Sequence, residues 1–116
     1  LQSEMLNWAK RRAKKAGLMN RIEFIQCSQD DLKISEPVDF VLSMWMVHEV
    51  SDRDRLFRQI RNVLKPDGQY LLAEPKFHVK KNLYKTICDE AESAGLKKNS
   101  EPKVGASFAA LFTGAH

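Results

Sequence analysis

Glycine is scarce in this chain. The five glycines stand at positions 17, 68, 95, 105 and 114, and no two are separated by a single residue. A Gly-x-Gly loop, the device that lets a backbone close upon a cofactor, is therefore not written in these 116 residues. Cysteine occurs only at Cys27 and Cys88, far apart and in no Cys-x-x-Cys spacing. That usage argues against a disulfide framework or a metal pair and reads as two buried thiols in a reducing cytoplasm. Long apolar runs are missing too: the stretch from Val38 to Val50 is interrupted by Asp39, His48 and Glu49, so it is too short and too polar to span a bilayer. The opening "LQSEMLNWAKRRAKK" spaces its apolar residues at helical intervals and not in one block, which is not the pattern of a signal peptide.

What remains is ordinary globular material. With 43% apolar and 29% charged residues, the composition predicts one domain over 1–116 with a single modest core. The net charge is +4, and Lys10, Arg11, Arg12, Lys14 and Lys15 crowd one short segment. These cations fall in the last turns of a predicted helix, where the helix dipole favours them. A nucleic-acid surface would interleave aromatic residues with that cluster, and only Trp8 is near, so an RNA-binding role ranks third among the readings.

Periodicity lays out the elements. Met5, Trp8, Ala9, Ala13 and Ala16 mark an amphipathic helix from about Ser3 to Ala16, closed by Gly17. "RIEFIQC" predicts a strand over Ile22 to Cys27, and "SQDDLKISEP" a polar loop. "VDFVLSM", Val38 to Met44, is the nearly continuous apolar run of a strand covered on both faces. A helix follows from Ser51, with Asp52 and Asp54 in its first turn and Leu56, Phe57, Ile60, Val63 and Leu64 as its buried stripe. Pro66, Asp67 and Gly68 are expected to stop it in a tight turn, before a strand over Gln69 to Ala73. Val79, Leu83, Ile87, Ala91 and Ala94 mark a third helix ending at Gly95, and two weaker strands follow near Leu96 to Val104 and Ser107 to Phe112.

This order predicts an α/β fold: a mainly parallel sheet flanked on both faces by helices, with a C-terminal antiparallel hairpin. Ligands in such sheets sit beyond the carboxyl ends of the strands. Ser28 and Gln29 after the first strand, Met44 to Glu49 after the second, and Glu74 and Pro75 after the third share that rim.

The segments "RIEFIQCSQDDL", "VDFVLSMWMVHEVSD" and "FRQIRNVLKPDGQYLLAEP", in this order, resemble the class I S-adenosylmethionine-dependent methyltransferases. "AGLKKNSEPKVGASFAALF" is similar to the hairpin that closes the sheet in that family. The resemblance implies S-adenosylmethionine as cofactor and methyl transfer to a small-molecule acceptor. Members of the family begin with a strand, a Gly-x-Gly loop and a second strand ending in an acid, and this chain matches neither. It looks like the C-terminal two thirds of such a domain. A truncated form would bind the cofactor weakly or not at all. The strand around Phe24 would lose its partners, and two repairs are then expected: a homo-oligomer through the open sheet edge, or a move of that strand beside Val38 to Met44. A non-catalytic methyltransferase-like module, oligomerising through that edge, is the competing reading.

By the same resemblance, Ser28 and Gln29 take adenine-contact positions, and Met44 and Trp45 border the cofactor, unless the latter two are packing residues. His48 is either a general base on the acceptor or a structural tie from its loop to the following helix. Glu49 is its catalytic companion in the first case. Glu74 orients a substrate or caps the loop, with His78 as a further substrate contact. No metal site is required by the spacing of His48, Glu49 and His78.

Overall fold

The computed structural model of the protein describes residues 11, 22–25, 37–44, 47–77 and 79–114, with 22–25 and Met44 described through their backbone. The expected first helix lies outside the described residues, except for Arg11, which is helical. So does the polar loop with Cys27.

Apart from helical Arg11, the described residues form five strands and two α-helices: β1 Ile22–Ile25, β2 Val38–Met44, α1 Arg53–Val63, β3 Leu64–Pro75, α2 Lys81–Ser93, β4 Leu96–Ser100 and β5 Ser107–Gly114. A short 3₁₀ helix, Val47–Glu49, follows β2. The sheet order is β1-β2-β3-β5-β4. β1 and β3 both run parallel to β2, whereas β5 runs antiparallel to both β3 and β4. The α/β class and the closing hairpin agree with the sequence, but the sheet is mixed and not mainly parallel. The cause is the insertion of β5 between β3 and β4, which turns one reversed strand into two antiparallel ladders.

β1 lies directly on β2, with Phe24 opposite Leu42. This is the pairing beside Val38–Met44 that the sequence offers for the strand.

Local chemistry explains the helix boundaries. Asp52, one residue later than the expected start at Ser51, caps α1 by accepting the backbone N–H of Arg55 at 3.1 Å. The helix stops when Leu64 turns extended, with Pro66 just ahead to forbid another turn. The tight turn expected over Pro66, Asp67 and Gly68 is instead an irregularity inside the long strand β3: Leu64 pairs with Val38 and Gln69 with Phe40, so Lys65–Gly68 bulge from the ladder. A Cβ at position 68 would meet the Lys65 carbonyl oxygen at 3.0 Å, which is why glycine closes the bulge. At the end of α2, Gly95 adopts φ +101, and a side chain there would strike Arg61 Cδ at 2.5 Å.

Both described helices pack on one face of the sheet, where Leu56, Phe57, Ile60, Tyr84, Ile87 and Ala91 meet Val41, Tyr70, Leu72 and Phe112. The helices expected on both faces therefore reduce, among the described residues, to a pair on one. The other face is buried as well, through Phe40, Leu42, Leu71 and Leu111. Cys88 is a buried free thiol, as the sequence predicts, and burial pushes it up to about 11.

One polar pair sits inside this core. Ser43 Oγ and the Tyr70 hydroxyl are 2.5 Å apart, and Tyr70 is fully buried, stacked on Phe112 at 5.8 Å. Burial drives the ionisation of Tyr70 far up, so its hydroxyl remains a neutral hydrogen-bonding group. Ser43→Ala strands that hydroxyl and should cost about 1–3 kcal/mol in urea unfolding. Adding Tyr70→Phe should recover part of the loss; strictly additive losses would show that the pair does not couple.

Candidate active site

Parallel pairing brings the carboxyl ends of β2 and β3 to one rim, with Met44 in register with Ala73. The next residue, Glu74, is fully buried. A buried carboxylate needs donors, and the turn after β2 provides them. The backbone N–H of His48 donates to Glu74 Oε1 at 3.0 Å, and His48 Nδ1 lies 2.8 Å from Oε2. The backbone of Val47 adds a further bond to the same carboxylate. Burial raises the carboxyl of Glu74 above the usual range, and the bonds from His48 and Val47 pull it partly back.

The ionised carboxylate only accepts, so the proton of the neutral imidazole belongs on Nδ1. Its Nε2 then carries a lone pair with no donor among the described residues, 3.8 Å from Glu49 Oε1. His48 is mostly buried, at 17% side-chain exposure, while Glu49 is open at 63%. Such an arrangement can take a proton at Nε2. Once the ring is charged, it is stabilised by Glu74 on one side and Glu49 on the other.

His48, Glu49 and Glu74 are thus brought together as a group that the sequence named only piecewise. His48 is tied, but to Glu74 on β3 and not to the following helix. Glu74 caps the loop, one of the two roles expected of it. Met44 ends β2 at the rim. Ser28, Gln29, Trp45 and His78 lie outside the described residues. The sequence missed Phe108 and Lys76. Phe108 is the cross-strand partner of Glu74, and the Lys76 N–H donates to the Ala106 carbonyl at 3.1 Å. Both depend on the β3–β5 register, which no local pattern announces.

A family model described as a methyltransferase domain matches residues 1–72, more than half of the chain. The chain is 24% identical over 75 residues to the ubiquinone/menaquinone biosynthesis C-methyltransferase UbiE of Vibrio vulnificus, a match that covers 64% of this chain and 29% of that protein. A TehB-like SAM-dependent methyltransferase from Corynebacterium glutamicum shares its fold with TM-score 0.58 and 21% identity, over 73% of this chain and 52% of that one. A SAM-dependent methyltransferase from Aquifex aeolicus gives TM-score 0.60 and 21% identity, over 93% of this chain and 62% of that one. The chain therefore spans less than two thirds of the length of each of these proteins.

S-adenosylmethionine is the cofactor that this family and fold imply. The described rim offers a carboxylate–histidine pair but no glycine cradle, and β1 closes directly on β2. The described residues do not by themselves form a site for that cofactor.

Glu74→Gln leaves one acceptor where His48 presents two N–H donors. Imidazole nitrogen NMR at neutral pH should show the Nδ1–H tautomer in the parent chain and Nε2–H in the variant. An Nε2–H tautomer in the parent would contradict the geometry. Stability follows the same group: because the folded-state value is raised, the folded chain holds this proton to higher pH than the unfolded one. Its contribution to stability is full below the ordinary value of 4.5 and is lost as pH rises through the raised one. Unfolding midpoints across that window should fall in the parent more steeply than in Glu74→Gln.

Proposed function

The chain belongs to the methyltransferase domain family, and on that premise we propose that it serves methyl transfer from S-adenosylmethionine to a small-molecule acceptor, with His48 removing the acceptor's proton. The observation that carries this reading is the buried Glu74 holding His48 at the carboxyl ends of β2 and β3, where sheets of this kind bind ligands. An acceptor hydroxyl sheds its proton as it attacks the methyl group, whereas an amine or activated ring carbon sheds it once the new bond has formed. Nε2 of His48 is the base that receives it. Glu74 fixes the ring and balances the imidazolium, and Glu49 adds a second negative charge near Nε2. His48 is catalytic in this scheme, Glu74 is a positioning residue, and Glu49 is an electrostatic aid.

The free buried thiol of Cys88 supports a reducing, cytoplasmic setting. No helix among the described residues is long and apolar enough to cross a membrane.

A second reading is favoured by one specific observation. The absence of Gly-x-Gly from these 116 residues and the β1–β2 ladder support a non-catalytic methyltransferase-like module, which we propose would pair with a second copy through the edge of β1 that has no partner strand among the described residues. Transfer of label from S-[methyl-³H]adenosylmethionine to a panel of small phenols, amines and quinols separates the two. On the catalytic reading the parent chain labels at least one class, and His48→Gln lowers the turnover number by about 10²- to 10⁴-fold, the usual worth of a general base. Labelling of no class would hand the chain to the second reading, and an unimpaired His48→Gln would remove His48 from the chemistry.

A further inference from the structure

The turn into β5 forms a cavity of about 340 Å³ lined by Lys76, Glu101, Lys103, Ser107 and Phe108 among others. We infer that this cavity binds the carboxylate of a small aromatic acid between Lys76 and Lys103, with the ring of the acid against Phe108. As the acceptor side of the active site, this assignment rests on the methyltransferase reading; as a binding site, it does not.

The charge balance of the cavity comes first. Glu101 is the acid among its lining residues, and it is already engaged: Lys98 Nζ lies 3.0 Å from Oε1, and the Tyr84 hydroxyl donates to Oε2 at 3.2 Å. The Lys98 ammonium holds the Glu101 carboxyl below the usual range, so Glu101 stays ionised and paired. Lys76 and Lys103 have no carboxylate partner among the described residues. Two cations thus face a concave surface whose one acid is spent elsewhere. An adjoining cavity, which shares Glu101 and Phe108, adds Lys81, Lys85 and Asp89 to its lining, a net of one further positive charge beyond the Lys98–Glu101 pair.

The apolar part of the site is rigid. Phe108 stacks on Tyr84 with centroids 4.9 Å apart and planes 14° from parallel. The Tyr84 hydroxyl shares its single proton between the Ala109 carbonyl at 3.1 Å and Glu101 Oε2 at 3.2 Å. Lys76 Nζ stands 5.5 Å from the centre of the Phe108 ring, so a cation and an aromatic face are presented together. The volume suits one small ring with its acid group and is too small for a polymer.

Position links the cavity to the chemistry. Glu74 and Phe108 are cross-strand partners, so their side chains share one face of the sheet at neighbouring places on the rim. A ligand held on Phe108 and the two lysines therefore lies one strand pairing away from Glu74, the residue that holds His48.

The test is an amide NMR titration of the full chain with benzoate, with benzamide as the uncharged counterpart and no methyl donor present. Benzoate should give saturable shifts at Gly105, Ser107 and Phe108, with benzamide at least about tenfold weaker, as expected for the loss of charge-assisted hydrogen bonds. Lys76→Gln combined with Lys103→Gln should weaken benzoate by about the same factor while the rest of the spectrum stays in place. Equal binding of benzamide, full benzoate binding by the double variant, or no saturable shift would each overturn the assignment. Because no methyl donor is involved, benzoate binding with failed methyl transfer would keep this site and sink only the catalytic reading; transfer to uncharged acceptors without benzoate binding would do the reverse.

Discussion

A buried carboxylate at the end of a strand sets the terms for everything around it. Glu74 has no exposure to solvent, and a charge so placed is tolerated only if its oxygens are met by donors. Leaving such a charge without its partners costs about 3–5 kcal/mol, a large part of a small domain's stability. The turn after β2 answers with the backbone of Val47 and both N–H groups of His48. That demand fixes where the 3₁₀ helix sits and which way the imidazole points.

The geometry behind this contact is built by the sheet. β2 and β3 run parallel and end together, so a residue just past Met44 can reach one just past Ala73. β5 then inserts antiparallel to β3 and brings Phe108 opposite Glu74. The strand that makes the sheet mixed thus also places an aromatic side chain across from the buried acid. Packing of α1 and α2 on the same face supports this from below, through Tyr70, Leu72 and Phe112.

Much of this was legible in the sequence. The run Val38–Met44, the acids opening α1, the apolar spacing of α2 and the closing hairpin are local signals, and each element stands near its expected place. The failures share one cause, which is long-range pairing. Val38 to Leu64 and Phe40 to Gln69 form a register that absorbs Lys65–Gly68 as a bulge, where local turn chemistry predicts a tight turn. The insertion of β5 between β3 and β4 leaves no trace in any single window. At the site, His48 and Glu74 each stand out in the sequence, but their bond spans 26 positions, so no local window pairs them. Lys76 and Phe108 had no local mark at all, since their value comes only from the Glu74 to Phe108 register. The cofactor contacts expected at Ser28, Gln29 and Trp45 fall outside the described residues.

The carboxylate of Glu74 is buried and held by His48, and both properties are read from its own titration. With ¹³C-labelled glutamate, the carboxyl resonance of Glu74 should titrate above its ordinary value of 4.5 in the parent chain. In His48→Gln, where the imidazole bond that pulls the value back is gone, it should titrate higher still. A midpoint at or below 4.5 in the parent, or no movement in the variant, would contradict the account.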